Sequence, residues 1–310
     1  MVDPLEDTVD LHVTEYFSRT LFHHQAVPSH LSIGAASDVG KVRKENQDHY
    51  AVIRRQRSQE IVLSDLPIDE FEGSEDFSHL LLVADGIGGS SFGELASRIV
   101  IHKVWELAAH SASWIMKLKD FDAQQIRERI EAYAYAMQQS LDEQIRITDG
   151  KEQSLGTTLT AAYVIGMDAI ISHVGDSRAY LLRDGVLIQQ TEDQTLARKL
   201  LDLGHDQSQV KKFHNILSNW FGTGVVGNPY VEIRHLNLKI GDKILLCSDG
   251  LTKELSNEEI QEILAAAETP QAASDNLLAT ALRKGGRDNV TVVVAEVEQW
   301  LKSPESQPAQ

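Results

Sequence analysis

The sequence predicts an α+β fold in which antiparallel sheets and helices form separate layers. Two observations carry this prediction. Short strand-like runs dominate the middle of the chain and follow one another through tight turns, and the clear helical runs fall into two pairs, one before and one after most of the strands. Strands grouped in this way favour antiparallel sheets over the regular strand–helix alternation of a parallel sheet.

The predicted strands are aliphatic or β-branched runs bounded by Gly, Asp or Ser. They cover residues 80–84, 157–165, 169–174, 179–182, 186–190, 231–238, 243–247 and 289–297. Asp184-Gly185, between two matched runs, is a strong signal for a two-residue hairpin. Because the pattern does not break in the middle of the chain, we expect one domain at residues 31–298. An N-terminal extension (1–30) and a polar C-terminal tail (299–310) flank it.

Helical periodicity is clearest at residues 123–145, where apolar side chains recur at spacings of three and four. A second helix is predicted at residues 92–109. The other predicted helices are one opened by a Ser256–Glu259 capping box, one running from Thr269-Pro270 to Gly285, and a short amphipathic helix at 7–24 that Pro28 would end.

The composition, with 42% apolar and 24% charged residues, is that of a globular protein. A formal net charge of −17 repels phosphate backbones, which makes nucleic acid a poor candidate partner.

No apolar stretch is long enough to span a bilayer, and the acidic N-terminus does not resemble a signal peptide. Cys247, the single cysteine, lies in an apolar run, which indicates a buried side chain in a reducing compartment. We therefore expect a cytoplasmic protein with no membrane partner; the oligomeric state cannot be read from the pattern.

Five aspartates lie at the ends of predicted strands. Asp85, Asp176 and Asp249 follow a strand, whereas Asp48 and Asp288 precede one. Asp-Gly is also a common turn dipeptide, and for Asp184 the turn interpretation is preferred. For the other five, a strand buried on both faces would carry its aspartate to the end of the core.

Several carboxylates that converge there would repel one another, at a cost of roughly 3 kcal/mol for two charges about 5 Å apart at an effective dielectric of about 20. Such a cluster needs cations. Oxygen ligands without a His or Cys pattern suit Mg²⁺ or Mn²⁺ better than Zn²⁺.

Six segments in order resemble the PPM family of metal-dependent protein phosphatases, the type 2C-like enzymes. The segments are SDVGKVRKENQDHY, LLLVADGIGGSSFGELAS, GTTLTAAYV, HVGDSRAYLLRDG, LLCSDGLT and GGRDNVTVVV, and the resemblance spans about residues 31–298. It implies a four-layer α-β-β-α sandwich with two central antiparallel sheets. The implied activity is hydrolysis of phosphoserine and phosphothreonine in proteins by a metal-activated bridging water that attacks phosphorus in line.

The resemblance also implies a role for each acidic position. Asp85 resembles the carboxylate that bridges two metals, and the Gly86 carbonyl would bind one of them. Asp249 and Asp288 would bind the other, and Asp48 would act on the cluster through bound water. Asp176 would bind a third and weaker ion, which it would share with Asp249. Arg43 would bind the substrate phosphate. Without the resemblance, Arg43 would be interpreted as a solvated loop residue.

The sequence departs from the family pattern at two places. Ile87 and Ser90 stand where many members carry a histidine proposed as the general acid, so the proton donor to the leaving oxygen is not identified. The segment 191–224 lacks the usual flap patterns. We expect it to shape substrate recognition through Trp220 and Phe221, with a purely core role for these aromatics as the alternative.

Two other functions fit parts of the pattern. A catalytically weak or inactive phosphoprotein-binding module on the same fold is one, but retention of all five aspartates argues against it. Another two-metal hydrolase, such as a nuclease, is the second, and the acidic charge argues against that. Turnover of a phosphopeptide with added metal separates these possibilities.

Overall fold

A computed structural model describes residues 29–58, 75–88, 91–115, 123–147, 155–225 and 227–299. The extension helix at 7–24 and the tail beyond Gln299 lie outside these ranges. The strands are β1 (Ser29–Asp38), β2 (His49–Ser58), β3 (Glu75–Ala84), β4 (Gly86–Ile87), β5 (Gly156–Thr157), β6 (Leu159–Ile165), β7 (Asp168–Val174), β8 (Arg178–Arg183), β9 (Val186–Gln189), β10 (Phe221–Gly222), β11 (Glu232–Asn237), β12 (Lys243–Cys247) and β13 (Val290–Gln299). The helices are α1 (Ser91–Ile115), α2 (Ala123–Ile147), α3 (Leu196–Asp202), α4 (Gln207–Val210), α5 (Asp249–Thr252), α6 (Asn257–Ala266) and α7 (Pro270–Lys284), with a 3₁₀ turn at Lys211–Phe213.

The strands form two large antiparallel sheets and one small one. The first sheet has the order β1-β13-β12-β8-β9 and the second the order β11-β7-β6-β3-β2. A small sheet, β10-β5-β4, lies beyond the end of β3. The hairpin predicted at Asp184-Gly185 is confirmed, since Arg183 pairs with Val186 and both turn residues have positive φ.

Three apolar cores separate the layers, which confirms the predicted α-β-β-α sandwich. The inner core lies between the two sheets, the second lies under α1 and α2, and the third lies under α6 and α7. Side chains that point alternately to the two faces of the central strands contribute to all three cores. Leu81 of β3 faces the inner core while Leu82 faces the α1–α2 side, and in β12 Leu246 faces inward while Leu245 faces α6 and α7. These strands are buried on both faces, as their continuous apolar runs require.

Helix ends near the C-terminus follow the sequence signals. Ser256 and Glu259 form the predicted capping box at the start of α6. Thr269 caps α7 with Pro270 in its first turn, and Gly285 ends the helix. Among the described helices, none combines the length and apolarity that a bilayer crossing needs.

β1 is a strand that the sequence patterns do not indicate. Its segment, SHLSIGAASD, contains Gly, Ala and Ser, which are weak strand formers. It forms because it pairs with β13 along its whole length, from Ser29 opposite Gln299 to Asp38 opposite Val290. Tertiary pairing therefore overrides local preference at this sheet edge.

Candidate metal centre

The topology brings the five acidic positions to one end of the sandwich. In the second sheet, His49 at the start of β2 pairs with Ala84 at the end of β3, so that Asp48 and Asp85 lie on neighbouring strands at the same edge. In the first sheet, Cys247 pairs with Val292, which puts Asp249 after β12 beside Asp288 before β13. Asp176 follows the end of β7 by two residues.

Asp85 lies within electrostatic range of the other four aspartates. Burial raises the pKa of Asp85 well above its ordinary value, and the charges of the other four aspartates, Asp48, Asp249, Asp176 and Asp288, raise it further. A protein without cations in this place would therefore bear a large repulsive cost.

Asp48 is the most deeply buried of the five, with 4% of its surface exposed. The Ser248 hydroxyl donates to its Oδ2 at 2.7 Å, while its Oδ1 is buried without a hydrogen-bond partner. Burial raises the pKa of Asp48 to about 7, against the opposing effect of hydrogen bonds from Ser248 and Thr291. A buried carboxylate oxygen without a partner is costly, and a cation would relieve that cost.

Asp176 has a similar environment. Burial and the nearby charge of Asp249 raise the pKa of Asp176 to about 7, and only Lys253 among its charged neighbours acts strongly in the other direction. The sharing of a third ion by Asp176 and Asp249, which the resemblance implies, stays a prediction.

Two basic side chains contact the Asp249–Asp288 side of the cluster. Arg43 makes a two-pronged contact with Asp288, from Nε to Oδ1 at 2.8 Å and from a terminal nitrogen to Oδ2 at 3.0 Å. The Lys253 ammonium contacts the Asp249 carboxylate and lies 3.0 Å from Asp288 Oδ2. Burial works to raise the pKa of Asp288, but hydrogen bonds from Arg43 and Lys253 outweigh it and leave that pKa below its ordinary value.

These ion pairs engage Asp249 and Asp288, and the cluster is not a preformed chelate among the described residues. Within the described ranges, no three acidic, histidine or cysteine side chains converge at metal-binding distance. The donor set nevertheless fits a hard divalent cation, since it is made of carboxylate oxygens and includes the unpartnered Oδ1 of Asp48. The side chains that would hold such ions are Asp48, Asp85, Asp176, Asp249 and Asp288.

The backbone at Gly86 leaves no space for a side chain. A Cβ there would lie 2.4 Å from the Gly93 carbonyl oxygen and 2.7 Å from that of Gln47. Thr157 and Thr158 fix the preceding residue, because the Asp85 amide donates to Thr158 Oγ1 and the Asp85 carbonyl accepts from the Thr158 amide and the Thr157 hydroxyl. The glycine is thus needed for close packing beside Asp85, and its carbonyl as a metal ligand stays a prediction.

Phe221 does not suit a role in substrate contact. Its side chain is 1% exposed and packs in the core beneath α1 and α2, which is the alternative considered for it. Trp220 is half-buried instead, donates from Nε1 to the Thr223 carbonyl and lies against Gly156 of the small sheet. We retain Trp220 alone as the aromatic candidate for substrate recognition.

The segment 191–224 is fastened to the Asp176 loop. Gln194 Oε1 accepts a hydrogen bond from the Gly175 amide at 2.8 Å and another from the Asn219 side chain. The Gln194 amide also donates to the Gly175 carbonyl. A movement of this segment would therefore also move the loop that carries Asp176.

Neither of the family's histidine positions supplies a general acid. Ile87 pairs with Gly156 in the small sheet, and Ser90 lies outside the described residues. His49, although adjacent to Asp48 in sequence, has its Nδ1 2.9 Å from Ser97 Oγ of α1. Burial lowers the pKa of His49, which disfavours the protonated form that an acid requires.

Sequence reasoning missed two residues of the site, Ser248 and Lys253. Ser248 holds Asp48, and Lys253 holds Asp249 and Asp288. The spacing of four between Asp249 and Lys253 is a helical ion-pair spacing. It would have identified Lys253 had the short helix α5 been predicted after β12.

Asn289 anchors the loop that carries Arg43. Its Oδ1 accepts from the Gln47 amide at 2.9 Å, and its Nδ2 donates to the carbonyls of Val39 and Glu45 at 2.9 and 3.0 Å. The side chain is buried, so that its removal would leave three backbone groups without this partner.

We expect Asn289→Ala to lower the free energy of unfolding by about 3 kcal/mol, since three part-buried hydrogen bonds worth about 1 kcal/mol each are lost. Urea denaturation measures this loss. Asn237→Ala on the exposed edge strand β11 is the matched control and should change stability by less than about 0.5 kcal/mol. Equal stabilities of the two variants would contradict an anchoring role for Asn289.

Comparison with known proteins agrees with the fold. The protein phosphatase 2C family profile matches residues 68–295. The serine/threonine phosphatase stp of Listeria monocytogenes is 32% identical over 266 residues, which cover 84% of this chain and 93% of that protein. The serine/threonine protein phosphatase PstP of Mycobacterium tuberculosis is 35% identical over 273 residues, and this chain spans 46% of its length.

Solved structures give the same result. The crystal structure of the M. tuberculosis phosphatase PstP/Ppp superimposes with a TM-score of 0.65 at 32% identity and covers 86% of this chain and 99% of that one. The PstP catalytic domain in complex with two manganese ions has a TM-score of 0.64 at 33% identity and covers 86% of this chain and 98% of that one. The chain therefore belongs to the protein phosphatase 2C family, the family of serine/threonine phosphatases that the order of its six motifs indicates.

Proposed function

We propose that this protein removes phosphate from phosphoserine and phosphothreonine in protein substrates, with two divalent cations, Mn²⁺ or Mg²⁺, at the aspartate cluster. The observation that carries the proposal is the convergence of Asp48, Asp85, Asp176, Asp249 and Asp288 at one end of the sandwich, with a buried, unpartnered oxygen on Asp48. The complex of the M. tuberculosis phosphatase PstP with two manganese ions supports this choice of metal.

Some side chains of the site hold the cations, and another binds the phosphate. Asp85, the Gly86 carbonyl, Asp249 and Asp288 hold the two ions, and Asp48, oriented by Ser248, supports them from the buried side. Bound divalent cations supply Lewis acidity and a nucleophilic water at neutral pH. Arg43 binds the phosphoryl oxygens through the same two-pronged face that now contacts Asp288. Its side chain is 54% exposed, so it is free to turn toward a substrate.

A third and weaker ion is proposed between Asp176 and Asp249. The raised pKa of Asp176, which burial and Asp249 cause, supports it. Since Gln194 fastens the 191–224 segment to the Gly175–Asp176 loop, occupancy of this position would couple to substrate recognition by that segment. The cytoplasmic location remains a prediction from the sequence.

The test is a phosphopeptide assay on the full chain after metal removal with EDTA. We expect Mn²⁺ or Mg²⁺ to restore hydrolysis of phosphoserine and phosphothreonine peptides but not of the matched phosphotyrosine peptide. Asp249→Asn should abolish this hydrolysis. Absence of turnover with every metal, in a protein that remains folded, would overturn the proposal and favour the phosphoprotein-binding module. Equal turnover of the phosphotyrosine peptide would overturn the proposed substrate class.

A further inference from the structure

Lys253 contacts two of the carboxylates to which the family resemblance assigns a metal ion. It directly follows α5, four residues after Asp249, and its ammonium contacts the carboxylates of both Asp249 and Asp288. These are the two side chains assigned above to one cation. Its charge also acts on Asp176, the third carboxylate on this side of the cluster.

The position of Lys253 is held by the fold. Glu254, the next residue, is buried and receives two-pronged hydrogen bonds from Arg287, which precedes Asp288. Two successive ion pairs, Lys253–Asp288 and Glu254–Arg287, thus join the end of α5 to the loop before β13. The ammonium is directed at the carboxylates by this double contact, and it is not a loose surface charge.

We propose that Lys253 is a built-in counter-cation that partly neutralises Asp249 and Asp288 in the metal-free protein and weakens the binding of a divalent ion to them. The inference rests on the proposed function, because it assumes that these aspartates hold metal. The ammonium contacts Oδ2 of Asp249 and Oδ2 of Asp288, and at such close range its charge repels a metal ion bound to the same carboxylates. Lys253 therefore stabilises the metal-free protein and weakens its affinity for the ion.

Loss of the Lys253 charge should therefore lower the stability of the metal-free protein and raise its affinity for the ion. Both effects can be measured without an activity assay. Removal of the charge in Lys253→Met takes a positive charge away from Asp249 and Asp176 and leaves Asp288 with Arg43 alone, so the metal-free variant should melt at a lower temperature than the wild type. The same change removes the competitor and makes the site more negative by one charge. We expect the Mn²⁺ dissociation constant to fall by about tenfold, a change typical of one close like charge that is partly screened by solvent.

The experiment is a calorimetric titration of Mn²⁺ into the EDTA-treated full chain, together with melting curves without metal. Lys253→Arg keeps the charge and should bind Mn²⁺ within about twofold of the wild type. Lys103→Met is the matched control, because Lys103 has similar exposure and an ion pair with Glu106 at 3.0 Å but lies on α1. It should leave the dissociation constant unchanged. Lys253→Gln provides a second neutral variant if Lys253→Met does not fold.

Three outcomes separate the claims. In the first outcome, the wild type binds Mn²⁺ and the folded neutral variants bind it no more tightly. This result overturns the counter-cation role of Lys253 but not the metal site. An equal gain in affinity for Lys103→Met also overturns that role, since net charge would then explain the effect. Absence of Mn²⁺ binding in the wild type and in every Lys253 variant overturns both the counter-cation and the metal site of the proposed function.

Discussion

Replacement of Asp85 by asparagine is expected to abolish phosphopeptide hydrolysis and, at the same time, to make the metal-free protein more stable. Burial raises the pKa of Asp85, and repulsion by the charges of the other four aspartates raises it further. On the proposed assignment of Asp85 as the ligand shared by two cations, its loss should lower kcat/KM by at least about a thousandfold, equivalent to about 4 kcal/mol of transition-state stabilisation.

The gain in stability follows from the same repulsion. At neutral pH the folded state disfavours the charged form of Asp85, and the neutral amide of asparagine removes that penalty. We expect the free energy of unfolding without metal to rise by about 3 kcal/mol, as for the loss of one repulsive pair about 5 Å apart at an effective dielectric of about 20. Added Mn²⁺ should raise the melting temperature of the wild type but not that of the variant.

The control for this experiment is Asp184→Asn. It removes one negative charge from a hairpin turn outside the cluster, and asparagine tolerates the positive φ of this residue. Its activity, its stability and its response to Mn²⁺ should match those of the wild type. A wild-type level of turnover by Asp85→Asn would contradict the assignment of Asp85 as a metal ligand.

The layered fold and the acidic cluster could be predicted from the sequence because both depend on local signals. Runs such as residues 80–84 and 243–247 are apolar at every position, which is typical of strands buried on both faces, and the aspartates that follow them must lie at the ends of the core. The capping signals at Ser256 and Thr269 depend on side chains within one helical turn and were equally readable.

The features that escaped prediction depend on contacts between distant segments. β1 forms through its pairing with β13, more than 250 residues away, although its own residues are weak strand formers. The core position of Phe221 depends on packing against the sheet beneath α1 and α2, which periodicity in a short irregular segment does not reveal. Lys253 matters because Asp288 comes to lie beside it, and the sequence places that residue 35 positions away.

Replacement of Gly250 by alanine is expected to damage stability and activity together, although alanine is the better helix former. Gly250 is buried in α5, where Ala would ordinarily gain about 1 kcal/mol. A Cβ at this position would lie 1.9 Å from the Asn289 carbonyl oxygen and 3.4 Å from Asp288 Cβ. The obstructing atom is backbone, so the helix and the 288–289 segment must move apart, at a cost of about 3 kcal/mol.

That movement would separate Asp249, the neighbour of Gly250, from Asp288. A misplacement of about 1 Å can cost about a hundredfold in rate, so we expect a loss of activity of this size in the protein that remains folded, measured below its melting temperature with saturating Mn²⁺. Gly34→Ala tests whether instability alone explains the result, because its Cβ would lie 2.3 Å from the backbone of Gln271, between β1 and α7. Gly34→Ala should lose comparable stability and keep its activity per folded molecule. Equal losses of activity in the two variants would mean that the close approach at Gly250 serves the fold and not the spacing of Asp249 and Asp288.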